Sequence, residues 1–396
     1  MKSIAILGCT GSIGRQTLQV VENLPDRFRV VALAAGSNLD ELAGQIARHR
    51  PQLVSVADAA RADQLRDRLR ALSHSPLPEI QWGAGGMLSV STHPDASVIV
   101  SAAVGVVGLE ATYAAVRAGK QVALSNKEVL VAAGELVMAA AKASGVELLP
   151  VDSEHNAIHQ CLRGGQPREV RRLILTASGG PFRKTPLAQM AAATPEQALA
   201  HPKWRMGPRI SIDSATLVNK GFEVIEAHWL FQASTEQIDV VIHPQSTIHS
   251  MVEFVDGSIL AQLGPTDMRL PIQYALTYPE RAASKGVVLD WGALRRLDFE
   301  KVSARRFPCL ALARQALRAG GAQPCALNAA DEVAVAAFLE GQLAFSGISR
   351  VIERVLEKMP SVTLRAIPDV LEADGEARRL AREEVRQLSQ RAAVAR

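Results

Sequence analysis

Ser3-Ile4-Ala5-Ile6-Leu7-Gly8-Cys9-Thr10-Gly11-Ser12-Ile13-Gly14 opens the chain with an apolar run that passes directly into a glycine-rich turn. An apolar run without polar alternation is the pattern of a parallel strand covered on both faces. Arg15–Leu24 follows with helical spacing. Strand, glycine turn and helix in that order are the setting a dinucleotide needs. The glycines let the backbone approach a pyrophosphate, and the helix N-terminus offers N–H donors and a positive dipole end. The spacing is G-x-x-G-x-x-G, not G-x-G-x-x-G, so a plain tight turn is the competing reading.

Outward from this stretch the same unit repeats. Phe28–Ala34 reads as the second strand and ends at Ala35-Gly36-Ser37-Asn38. An NAD site usually carries an acid there for the ribose 2′-hydroxyl. Its absence favours NADP, although no Arg or Lys stands at the turn either. Gln52–Val56, Ser97–Ser101 and Gln121–Leu124 read as strands, and Leu109–Ala118 as a helix closed by Gly119. Ser125-Asn126-Lys127-Glu128 then falls at a strand's carboxyl end, where open α/β sheets bind ligands.

Gly145–Pro150 reads as one more strand, followed by Val151-Asp152-Ser153-Glu154-His155. In extended backbone Asp152 and Glu154 would point the same way. Two carboxylates that close need a cation, and a hard ion such as Mg²⁺ or Mn²⁺ suits oxygen ligands. A solvated strand end is the alternative. Beyond it, Val170–Leu175 leads into Thr176-Ala-Ser178-Gly-Gly-Pro-Phe182, whose hydroxyl and backbone amides suit an anion. His201-Pro-Lys-Trp204-Arg-Met206-Gly207 has no periodicity and reads as a functional loop. Ser214, Asn219, Lys220 and Glu223 gather donors and a third carboxylate before a helix over Val224–Phe231. Val240–Leu263 reads as strands with a hairpin at Asp256-Gly257, and His243 and His249 within it read as structural. Ser284–Phe307 reads as a linker. Four helices are expected after it, over Cys309–Ala319, Asn328–Glu340, Ile348–Met359 and Asp369–Ala393.

Composition bounds the function. The 396 residues exceed one ordinary core. The net charge of +4 is dispersed and aromatics are 4%, which gives nucleic-acid binding little support and leaves phosphorylated small molecules as the suited anions. No apolar run reaches a membrane span. Four scattered cysteines and no signal-peptide pattern suit a reducing cytoplasm.

Taken together, the glycine turn Gly8–Gly14, Ser125-Asn-Lys-Glu128, Val151–His155, Thr176–Phe182, His201-Pro-Lys-Trp204, Asn219-Lys-Gly-Phe-Glu223 and Asn328-Ala-Ala-Asp-Glu-Val333 resemble the 1-deoxy-D-xylulose 5-phosphate reductoisomerase family over essentially the whole chain. The resemblance implies an α/β fold: an N-terminal Rossmann-like NADPH domain (1–150), a central α+β catalytic and dimerisation domain (151–283), a linker (284–307) and a C-terminal helical bundle (308–396), in a homodimer. It implies that Asp152, Glu154 and Glu223 hold a divalent metal. Lys127, Ser153, Glu154, Ser178, His201, Ser214, Asn219, Lys220 and Glu223 would meet the substrate, with His201, Trp204 and Met206 on a lid. Thr10, Gly11, Ser12, Ile13, Gly36, Asn38, Asn126, Glu128 and Gly207 would line the NADPH site. Ser37 and Asp331 depart from the residues common in relatives, a basic residue and Asn. The implied activity is a metal-assisted rearrangement of the phosphorylated ketose followed by hydride transfer from NADPH. A semialdehyde-type NADP dehydrogenase and a non-enzymatic dinucleotide sensor are the alternatives; neither needs three carboxylates and a phosphate segment.

Overall fold

The computed structural model describes residues 1–394 apart from 74, 104 and 205. The chain runs β1 (Lys2–Leu7), α1 (Ser12–Asn23), β2 (Phe28–Ala34), α2 (Leu39–His49), β3 (Leu53–Val56), α3 (Ala59–Ala71), β4 (Glu79–Trp82), α4 (Gly83–Ser91), β5 (Val98–Ser101), α5 (Leu109–Arg117), β6 (Gln121–Leu124), α6 (Glu128–Ser144), β7 (Leu148–Pro150) and α7 (Ser153–Leu162). It continues through β8 (Val170–Ala177), α8 (Leu187–Ala191), α9 (Pro195–Leu199), α10 (Pro208–Thr216), α11 (Val218–Phe231), β9 (Ile238–Ile242), β10 (Ile248–Phe254), β11 (Ile259–Leu263) and α12 (Arg269–Thr277). β12 (Glu300–Lys301), α13 (Pro308–Ala319), α14 (Gln323–Leu339), α15 (Phe345–Lys358) and α16 (Ile367–Val394) complete it. No helix among the described residues is long and apolar enough to cross a membrane.

Compactness divides the chain into two units. The first comprises Met1–Val129, Val137–Asn156 and Asp267–Val287; the second comprises Leu130–Leu136, Ala157–Thr266 and Val288–Arg396.

The first unit is built on a seven-stranded sheet in the order β4-β3-β2-β1-β5-β6-β7, with every pairing parallel. Ile4, Ala5, Ile6 and Leu7 are fully buried, as a strand covered on both faces requires. The strand order reverses between β1 and β5, and such a reversal opens a crevice at the carboxyl ends. The glycine turn sits at that point. Gly8 has φ +82°, and a Cβ there would lie 2.5 Å from the Ala102 carbonyl oxygen. A Cβ on Gly14 would lie 2.4 Å from the Gly8 oxygen, so the first turn of α1 can close onto the loop only without a side chain. Ile272, Ala275 and Leu276 of α12 join the β1 and α1 core, so the chain returns to this unit late.

In the second unit five strands form a mixed sheet in the order β11-β10-β8-β9-β12. β10 and β11 form the expected antiparallel hairpin across Asp256-Gly257. The expected linker is not wholly irregular: Glu300 and Lys301 within it pair with β9. Four helices follow at the expected places. Cys325, Ala326, Leu327, Asn328, Ala329, Ala330 and Asp331 of α14 are all fully buried, which makes α14 the central helix.

Two local expectations are corrected. The extended stretch stops at Pro150; the Asp152 carbonyl accepts the Asn156 amide at 2.8 Å, the first bond of a helix, and α7 begins at Ser153. Alternation therefore does not place Asp152 and Glu154 on one face. The helix expected over Val224–Phe231 begins earlier, at Val218, and a further helix precedes it: α10 and α11 meet at Leu217, which takes the left-handed conformation at φ 61°.

Candidate active site

In the first unit the candidate residues collect at strand ends. Leu124 pairs with Pro150, so the segments just beyond β6 and β7 emerge side by side. Lys127 comes from one and Asp152 from the other, and Lys127 Nζ lies 2.5 Å from Asp152 Oδ2, with side-chain exposures of 9% and 11%. Burial pushes the Asp152 carboxyl up, but the Lys127 ammonium and the His155 ring beside it outweigh that. The group ends well below the usual carboxylate range. Ser153 Oγ donates to Glu154 Oε2 at 2.6 Å. The buried Asn156 amide donates to the Pro150 and Pro271 carbonyls at 2.8 and 3.2 Å, which pins the start of α7.

The expected cofactor residues of this unit follow the ends of β1, β2 and β6. Gly11 and Ser12 are exposed at the start of α1, with Thr10 and Ile13 half-buried beside them. Gly36 and Asn38 are exposed after β2, and the Asn38 side chain caps α2 by accepting the Glu41 amide at 3.2 Å. Asn126 is buried and donates to the Gly105 carbonyl at 2.8 Å, while Glu128 opens α6. Sequence reasoning missed Gln45. Its buried amide donates to the Cys9 carbonyl at 3.1 Å and so ties α2 to the glycine turn. A glutamine inside an amphipathic helix carries no local signal of that contact.

In the second unit α11 presents Asn219 and Lys220 four and three residues before Glu223, so each lies beside Glu223 on the helix. Glu223 is 1% exposed; Asn219 Nδ2 donates to its Oε1 at 2.6 Å, and Lys220 pairs with its other oxygen. Gly180 has φ +63°, and a Cβ there would lie 2.8 Å from the Ser214 carbonyl oxygen. The turn after β8 thus closes directly on α10, bringing the Ser178 and Ser214 segments together. Ser178 Oγ accepts the Gly180 amide at 3.2 Å and sits 2.9 Å from His201 Nε2. The Trp204 and Lys203 amides donate to His201 Nδ1 at 2.8 and 3.2 Å. Nδ1 is therefore unprotonated, and Nε2 carries the proton toward Ser178. The Trp204 ring lies 6.4 Å from that of His249. Met206 is half-buried, and Gly207 is the N-cap of α10, its carbonyl accepting Ser211 Oγ at 3.0 Å. A cavity of about 1290 Å³ lies here, lined in part by Ser178, Gly180, Lys184, Lys203 and Gln245. His243 is structural, with Nδ1 on the Asp298 carbonyl at 2.9 Å and Nε2 accepting the Thr247 amide at 3.2 Å.

The sequence profile of 1-deoxy-D-xylulose 5-phosphate reductoisomerase matches residues 4–134. Profiles of the C-terminal domains of that reductoisomerase match residues 148–231 and 263–380. A reductoisomerase of this kind from Solibacter usitatus is 53% identical over 97% of each chain. The chain belongs to the 1-deoxy-D-xylulose 5-phosphate reductoisomerase family. The family member from Symbiobacterium thermophilum is 54% identical over 97% of this chain and 98% of its own. Among solved members, the Zymomonas mobilis enzyme in complex with NADPH superposes with a TM-score of 0.90 at 45% identity, over 97% of this chain and 99% of that one. Another, in complex with NADPH, fosmidomycin and magnesium, superposes with a TM-score of 0.92 at 39% identity, over 98% of this chain and all (100%) of that one.

The His201 contacts set its titration. Burial is the largest cause and leaves its pKa below the ordinary histidine value. A depressed folded pKa means that the contribution of this group to stability is present above the ordinary histidine value of about 6.5 and is lost as pH falls through the folded value. Nitrogen-15 NMR of the imidazoles is expected to show His201 as the Nε2–H tautomer with a midpoint below that of a free histidine. An Nδ1–H tautomer or a raised midpoint would contradict the arrangement.

Proposed function

We propose that Asp152, Glu154 and Glu223 hold the divalent ion of a reductoisomerase. The chain is an NADPH- and metal-dependent oxidoreductase that rearranges and reduces 1-deoxy-D-xylulose 5-phosphate to 2-C-methyl-D-erythritol 4-phosphate in non-mevalonate isoprenoid precursor biosynthesis. The observation that carries this is the match to relatives across 97% of each chain.

The residues suit the ion. All three offer hard oxygen donors, Asp152 is held ionised, and Glu223 is buried in a setting of charge-assisted contacts. Either Mg²⁺ or Mn²⁺ fits such a set. When bound, the ion supplies Lewis acidity to the substrate oxygens and NADPH supplies the hydride. Ser178, Ser214, Asn219 and Lys220 grip the substrate phosphate and backbone, remote from the reacting carbons. That grip orients the substrate and drives closure. Lys127 and Ser153 stand beside the carboxylates to position substrate oxygens. Thr10, Gly11, Ser12, Ile13, Gly36, Asn38, Asn126, Glu128 and Gly207 hold NADPH. His201, Trp204 and Met206 cover the substrate and exclude water. In this reading residues 1–150 serve the cofactor, 151–283 catalysis and dimerisation, 284–307 connection and 308–396 helical support. A cytoplasmic location is consistent with four free, buried cysteines.

A homodimer completes the reading. β11 is an edge strand of the five-stranded sheet; Ile259 and Leu260 on it are exposed at 49% and 41%, and Val255 in the turn before it at 65%. A long apolar edge in a native protein calls for a partner strand or surface, and a second copy is the occupant assigned here.

Glu223→Gln keeps an acceptor for Asn219 but removes a ligand charge. It is expected to fold normally and to lose roughly 10²-fold in kcat, with a weakened Mg²⁺ dependence. Full turnover in that variant would remove Glu223 from the ion. For the lid, limited proteolysis within 198–208 is expected in the free enzyme and protection once a substrate-like phosphonate is bound. Cleavage that ignores the phosphonate, with normal kinetics for Trp204→Ala, would leave the loop a static surface feature. For the dimer, sedimentation should give twice the chain mass, and Val255→Lys with Ile259→Lys should shift it toward the monomer. A dimer indifferent to both substitutions would place the interface elsewhere.

A further inference from the structure

Asp331 lies in the middle of α14 with 0% side-chain exposure, and Asp213 of α10 faces the same guanidinium at 6%. That guanidinium belongs to Arg209. Its Nη1 donates to Glu332 Oε1 at 2.9 Å and its Nη2 to Asn328 Oδ1 at 2.8 Å. Its approaches to Asp331 Oδ2 at 3.6 Å and Asp213 Oδ2 at 3.7 Å are too long for hydrogen bonds. From α16, Arg378 holds Glu332 Oε2 and Asp374 Oδ2, both at 2.6 Å. Neither oxygen of Asp331 accepts a hydrogen bond from any described residue. A buried carboxylate with no donor is strongly disfavoured.

We propose that Asp331 and Asp213 hold one proton between them, and that this carboxyl–carboxylate hydrogen bond, under the Arg209 guanidinium, positions α10 on α14. The proton turns one acceptor into a donor, which is the only way two facing carboxyls satisfy each other. α10 carries Ser214 and begins directly after the His201–Gly207 loop, so the contact sets where that helix stands. The surroundings agree. Burial first, then Asp213, push the Asp331 carboxyl well above its usual range, with Glu332 adding and Arg209 opposing. Asp331 and Asp213 titrate as a pair, so the retained proton belongs to both.

The sign follows from a raised folded pKa. The stabilisation is fully present below the unfolded carboxyl value of about 4 and is lost as pH rises through the folded value. Asp331→Asn supplies a permanent N–H donor to Asp213 and removes that dependence. Three measurements on the full-length enzyme test this. The infrared spectrum in D₂O at neutral pH is expected to contain a protonated-carboxyl band that disappears in Asp331→Asn. The denaturation midpoint of the wild type is expected to fall with rising pH, while that of Asp331→Asn stays level and exceeds it at the alkaline end. The wild type should lose kcat/KM several-fold over the same alkaline range, and Asp331→Asn should not. Asp213→Asn, the reciprocal variant, should remove both the band and the alkaline limb, and it keeps the test open if the first variant fails to fold. The kinetic arm rests on the assignment of Ser214 to substrate; the infrared and stability arms do not. An infrared spectrum unchanged by both substitutions, or an unchanged alkaline slope in stability, would overturn the shared proton.

Discussion

The ion pair between Lys127 and Asp152 is the contact that ties together the segments leaving β6 and β7 in the first unit. It exists because β6 and β7 are neighbours in register and end together, so the residues that follow each strand must share one small space. Bringing two charges out of water is costly unless they meet closely, and at 2.5 Å they do. The consequence is that Asp152 is held ionised in a buried position. Asn156 supports the pair from behind by fixing the turn from β7 into α7, using the carbonyls of Pro150 and of Pro271 from a much later part of the chain.

The second unit solves a related problem with helices. The positive-φ residue Leu217 breaks one helical run into α10 and α11. The break lets Ser214 sit on one helix and Asn219, Lys220 and Glu223 on the next, each still held by regular backbone. Gly180 lets the turn after β8 close against α10, which sets Ser178 beside it and gives His201 its partner. Helical backbone carries Ser214, Asn219, Lys220 and Glu223, while Ser178 and His201 stand on connecting segments. That division suits a site in which most groups are preorganised and one segment closes. Support comes from α14, whose Asn328 and Glu332 bind Arg209 at the start of α10.

Much of this architecture was legible in the sequence. Phe28–Ala34 and Gln121–Leu124 fall on β2 and β6, residue for residue, and Asp256-Gly257 makes the hairpin it signals. Gly320-Gly321 and Pro360 fall between C-terminal helices, while Gly347 lies inside the first turn of α15. Such features depend on neighbours a few residues away: apolar runs for strands covered on both faces, glycine where φ must be positive, helical spacing where one face is buried. The D-x-E motif shows the limit. Its residues were recognisable as a carboxylate pair, but the argument from strand alternation failed because the chain turns helical at Ser153.

What the sequence by itself determined is the order of elements, the place of the glycine turn and the residue types able to hold a phosphate, a dinucleotide and a hard cation. What only the tertiary structure decided is which of those side chains meet. Gln45 reaches Cys9 across 36 positions, and Arg209 reaches Asn328 across 119. Neither contact leaves a periodic trace, because each depends on sheet register and helix packing rather than on local spacing. The same holds for charge: Asp152 and Asp331 are the same residue type in the sequence. One is held ionised by a lysine 2.5 Å away, while the other is pushed toward its protonated form by burial and by Asp213. The difference lies wholly in the surroundings that folding assembles around each.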